Sequence, residues 1–97
     1  MTKKLPRIVS AAPVIHGVLK ITWDDGYTGL VDMRPVMARG KVFAPLQDPA
    51  MFDMVRVSEF GHSIEWPAEE GRPQLDFASN TLREKAEKQA ALIALAS

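Results

Sequence analysis

Two alternating segments joined by Asp24-Asp25-Gly26 constrain this chain more than any other feature. In Val18-Leu19-Lys20-Ile21-Thr22-Trp23, Leu19, Ile21 and Trp23 fall on one face and Lys20 and Thr22 on the other. A period of two is the mark of a half-buried strand. Gly26 supplies the positive φ that a tight hairpin turn demands, and Tyr27 to Met33 returns as the next strand. A two-residue loop sets Ile21 opposite Leu30, whereas a three-residue loop with a bulge at Gly26 sets it opposite Gly29. Both registers stay open. Upstream, Ile8, Val9 and Val14 read as a first strand ending near Pro13, with His16-Gly17 as the turn. An antiparallel three-stranded meander follows.

Further on, helix and turn signals take over. Pro35 suits the first turn of a short helix, Gly40 its C′ position, and Asp32 its cap. Asp48-Pro49 starts a second short helix with Asp48 as N-cap. Val55 to Ser58 and Ser63 to Trp66 form a second hairpin, turned at Phe60-Gly61-His62. Residues 67–75 read as a polar loop. Thr81-Leu82-Arg83-Glu84 matches a capping box and opens the longest helix, which reaches about Ala96. Its stripe is Leu82, Ala86, Gln89, Ile93 and Ala96, which the chain's own sheet can cover, with Glu84, Lys85, Glu87 and Lys88 opposite. The fold class is therefore α+β: meander, short helices, second β-hairpin and long C-terminal helix. One domain spans 1–97, with a flexible N-terminus over 1–6, an α+β core over 7–78 and the C-terminal helix over 79–97. A length of 97 residues with 46% apolar and 25% charged side chains fits that reading.

The residues exclude more chemistry than they suggest. With no cysteine, thiolate zinc sites, iron–sulfur clusters and cysteine nucleophiles are excluded. Twelve basic side chains balance twelve acidic ones. Residues 1–50 carry seven basic and four acidic groups, hence +3, and residues 51–97 five and eight, hence −3. No basic stripe marks a nucleic-acid binder, so nucleic acid is not an expected partner. The zero balance leaves self-association unopposed. No apolar h-region follows Lys3-Lys4, and the longest apolar run, Ala90 to Ala96, is far too short to cross a bilayer. The expected compartment is the cytoplasm.

His16 and His62 each sit beside a turn glycine and read as solvent-facing residues rather than ligands. Glu69, Glu70 and Asp76 could form an acid/base set, but adjacent acids in a Pro/Gly loop have nothing apolar beside them to raise a pKa. No phosphate loop or nucleophile elbow is present. No catalytic residue, cofactor or metal is therefore expected. Asp32 and Asp76 each follow a strand-like segment and precede a helix, which favours capping over ligand binding. Trp23 and Trp66 close predicted strands and suit the core, with Trp66 also a candidate anchor for a partner. Leu92 and Leu95 lie well off the helix's buried stripe, with Ala91 beside them. These four, Leu92, Leu95, Ala91 and Trp66, are the candidate partner-binding residues. Gly26, Asp32, Asp48, Asp76 and Thr81 are the expected turn and cap residues.

One resemblance runs through most of the chain. Asp24-Asp25-Gly26, Gly29-Leu30-Val31-Asp32-Met33, Phe43-Ala44-Pro45-Leu46, Asp48-Pro49, Phe52, Val55-Arg56-Val57, Ile64-Glu65-Trp66-Pro67 and Asp76 stand in an order and spacing that resembles the bacterial family called domain of unknown function 2442. The likeness covers roughly residues 7–83 and implies a small α+β domain of strands and short helices, with no established activity, substrate or cofactor. Three departures stand out. Arg34 replaces the serine that usually precedes the proline, a longer loop with Glu69, Glu70 and Arg72 separates Trp66-Pro67 from Asp76, and the last helix leaves no room for the helix-turn-helix that some relatives append. Family members often neighbour genes of another small protein family, which implies a toxin–antitoxin pairing.

The leading functional expectation is a non-enzymatic, self-associating interaction module, a homodimer that also binds a small protein encoded nearby. An antitoxin-like or transcription-associated regulator is the alternative, to be marked by a basic groove. An unrecognised enzyme is the third, to be marked by a cleft with converging ionisable groups.

Overall fold

A computed structural model describes residues 6–39, 41–68, 71 and 74–96, the side chain of Ala96 excepted. The expectations for Gly40, for Glu69, Glu70 and Arg72, and for most of the N-terminal segment lie outside the described residues. The element order is β1 (Ile8–Ile15), β2 (Val18–Trp23), β3 (Thr28–Asp32), α1 (Arg34–Met37), a 3₁₀ turn over Lys41–Gln47, α2 (Pro49–Phe52), β4 (Arg56–Val57), β5 (Ser63–Glu65), β6 (Asp76–Ala78) and α3 (Ser79–Ala96). Two three-stranded sheets result, in the orders β1-β2-β3 and β4-β5-β6. The class is α+β.

The meander forms as its alternation dictates. Ile21 pairs with Gly29, so the hairpin uses the three-residue loop. Gly26 takes φ +88°, a left-handed value at which a side chain is strained, and its N–H donates to Trp23 O at 3.0 Å. Asp25 Oδ1 accepts the Tyr27 N–H at 3.2 Å, which tightens the same turn. Leu19, Ile21, Trp23 and Val31 are almost fully buried on one face. Thr22 and Thr28 bond hydroxyl to hydroxyl at 3.0 Å on the other. β1 runs past Pro13 to Ile15 because it is an outer strand of this sheet, where proline is tolerated. Its register against β2 shifts between Ile8 and Ser10 and again between Pro13 and Ile15. The extra residues, Val9 and Val14, leave the pleat and are exposed.

The second sheet carries a third strand that the sequence reading does not foresee. β6 pairs with β5, with Asp76 opposite Glu65 and Phe77 opposite Ile64. Asp76 is thus an exposed strand residue and not a cap. Asp48 does cap α2, its Oδ1 accepting the Ala50 N–H at 3.0 Å. For α1 the N-cap is Met33, one residue later than expected. Asp32 still accepts the Arg34 backbone N–H at 3.0 Å, and its carboxylate also grips the Arg34 guanidinium at 2.8 and 2.9 Å. Thr81 caps nothing, since α3 begins two residues earlier, at Ser79.

The sheets meet where the Ile8 N–H donates to Gly61 O at 2.8 Å. Around this joint, one core gathers Ile8, Trp23, Met33, Met37, Leu46, Phe52, Ile64, Trp66, Leu75 and Leu82 among others.

Candidate protein-interaction surface

α3 follows β6 without a break, and its first residue is tied down on two sides. Ser79 Oγ accepts the indole N–H of Trp23 at 3.0 Å and donates to Pro6 O at 2.7 Å. One turn later, Arg83 lays its guanidinium over the rings of Tyr27 at 4.1 Å and Trp23 at 5.2 Å, a cation–π contact. The same group pairs with Asp25 at 2.9 Å and approaches Glu87 Oε2 at 3.7 Å. The hydrogen bond to Asp25 raises the Arg83 pKa and holds the Asp25 carboxyl below its ordinary range. Leu82 and Ala86 are buried against the sheet. A β-carbon at Gly29 would stand 3.0 Å from Ala86 Cβ, so glycine there lets helix and strand touch. Gln89 Oε1 then accepts the Asp32 N–H of β3 at 3.2 Å.

Beyond Gln89 the helix becomes exposed. Residues 90–95 are all exposed. Leu92 shows 67% of its surface, Ile93 59% and Leu95 83%, with Ala91 among them. Ile93 corrects one expectation: it continues the buried stripe of Leu82 and Ala86, yet the chain's own sheet does not cover it. The result is a helix anchored over three turns that presents an apolar end to solvent.

Trp66 does not belong to this surface. It is fully buried, its indole N–H donates to Phe52 O at 3.0 Å, and its ring meets Phe52 and Phe77 at 6.0 Å each. A partner cannot reach it. The core claims it because a large ring with a satisfied N–H gains more from burial than from exposure.

The polar groups that line one depression elsewhere on the surface are engaged by the chain itself. A depression of about 250 Å³ is lined by His16, Arg34, Met37, Ala38 and Gln47. Here His16 Nε2 bonds Leu46 O at 2.8 Å, Gln47 donates to Met37 O at 3.0 Å, and Arg34 is held by Asp32. That ion pair lowers the Asp32 pKa. His62 is exposed beside the Phe60 ring. Among the described residues, no three His, Asp or Glu side chains gather as a metal would require, and no helix is long and apolar enough to cross a membrane.

Fold and surface together define a small α+β domain with a well-filled core and an unburied apolar helix end. The chain belongs to the protein family of unknown function DUF2442, whose family model matches residues 9–87. The match takes in most of the packed part of α3 and stops short of the exposed turns. No curated protein and no solved structure gives a significant match.

Proposed function

We propose that this chain is a non-enzymatic protein-interaction module that works in the cytoplasm as a homodimer, joined through the exposed end of α3. One observation carries the reading: Leu92, Ile93 and Leu95 stand exposed on a helix whose earlier turns are firmly packed. Two exposed helical turns are marginal in water by themselves, so this segment gains stability by packing on something. A second copy supplies a matching apolar surface, and a zero net charge sets up no general repulsion between copies. Burying Leu92 and Leu95 from both copies contributes roughly 6–12 kcal/mol of gross transfer free energy. The cost of association is of similar order, about 4–15 kcal/mol. The favourable ends of the two ranges leave about 8 kcal/mol, which corresponds to a dimer Kd near micromolar.

Sedimentation of the wild type beside Leu92→Glu/Leu95→Glu tests the reading. The wild type should sediment as a dimer and the folded variant as a monomer. A wild type that stays monomeric at high concentration refutes it.

A further inference from the structure

The dimer read above needs a seat for the helix end, and the geometry points to one: Val14 and Ile15 of a second copy. This rests on the self-association reading and goes beyond it by naming the surface that α3 meets. Ala86 sits over Gly29 and Gln89 bonds Asp32, so α3 advances in the same direction as β3. Its exposed turns therefore leave the sheet at the Asp32 end. The strand register brings the β1–β2 turn to that same end, because Asp32 pairs with Val18 and Val18 with Ile15. Ile15 lies two strands across from Asp32, about 10 Å away at the ordinary strand spacing. Val14 is 54% exposed and Ile15 57%, so the chain's own α3 does not cover them.

One end of the molecule thus carries both an apolar arm and an apolar patch. The arm alone offers on the order of 500 Å², below the roughly 800 Å² per partner of a standard interface. Adding Val14 and Ile15 brings the total close to that figure. A two-fold arrangement uses each element once per copy: the arm of one on the patch of the other, and the reverse. Such an exchange closes on itself and leaves neither arm nor patch uncovered. Charges nearby are already matched, Arg34 by Asp32 and Lys88 by Glu84, so neither pair opposes the contact.

The absence of cysteine makes the test direct. Ile15→Cys and Leu95→Cys are prepared separately, mixed and oxidised. The mixed disulfide should outnumber either like-with-like product. In sedimentation, Ile15→Asp should raise the dimer Kd by about tenfold or more with an unchanged far-UV spectrum. Should Ile15→Asp lose that spectrum, Val14→Asp, at a bulged and exposed position, carries the same test. A dimer that Ile15→Asp or Val14→Asp weakens by no more than about twofold, with Leu95→Cys linking mainly to itself, overturns the seat and leaves self-association standing. A wild type that is monomeric throughout overturns both.

Discussion

Replacing Ser79 by alanine removes one oxygen from the place where α3 joins the meander. That oxygen accepts the Trp23 indole N–H at 3.0 Å and donates its proton to Pro6 O at 2.7 Å. Trp23 is 1% exposed, so water cannot replace the lost acceptor. A buried donor left without a partner costs about 1–3 kcal/mol. The better helix propensity of alanine returns only a few tenths of a kcal/mol. A net loss of about 2 kcal/mol is expected. For a domain of this size that lowers the Tm by about 8–16 °C.

Assigning the loss to the Trp23 contact takes a double-mutant cycle by urea denaturation: wild type, Ser79→Ala, Trp23→Phe and both. Phenylalanine has no N–H to strand, so Ser79→Ala should cost about 1 kcal/mol less in that background. Equal costs in the two backgrounds would refute the reasoning, and with it the claim that this bond anchors the helix.

Gly26→Val should destabilise by about 1 kcal/mol or more in chemical denaturation. Space is open around that glycine, so the loss isolates backbone strain at φ +88°. Trp66→Ala should cost about 3–5 kcal/mol, a core penalty; an unchanged midpoint would return Trp66 to the surface. Asp25 and Asp32 have folded pKa values held below the ordinary carboxylate value near 3.8, by Arg83 and Arg34 respectively. Their stabilisation is present above that value and fades as the pH falls through the lowered folded values. Asp25→Asn should therefore lower the Tm at neutral pH and flatten its decline in acid, as read by thermal unfolding across pH.

The meander was legible because two local signals agree: alternation places the faces, and Asp24-Asp25-Gly26 places the turn. The register was not. It depends on whether the Gly26 loop counts two or three residues, which the alternation alone leaves open. β6 was hidden for another reason. It is three residues long with one half-buried ring, Phe77, and it exists by pairing with β5 across a long loop. No local pattern encodes such a partner. Thr81-Leu82-Arg83-Glu84 misled because it satisfies a local capping rule while a distant residue sets the boundary. The indole of Trp23 captures Ser79, and the helix starts there. Burial of Trp66 was the simpler half of its reading, since a strand-closing tryptophan in a small domain has a core to fill.

Ile93 shows where helical periodicity stops being informative. The spacing of Leu82, Ala86 and Ile93 states which side chains share a face. It does not state how far the neighbouring surface extends. At 1.5 Å per residue, the 18 residues of α3 span about 27 Å. At about 3.4 Å per residue, the five residues of β3 span about 17 Å. The helix runs with the strand and outlasts it by about 10 Å, close to two turns. Gln89 meets the last residue of the strand through the Asp32 N–H, so the strand ends beneath Gln89, and Ile93 stands one turn beyond it. A stripe that predicts burial from composition alone assumes a floor of equal length. Here β3 is shorter, and the same residue type that packs the core at Leu82 reaches solvent at Leu92 and Leu95. The overhang is thus a consequence of two element lengths, and it turns a core-forming pattern into a surface.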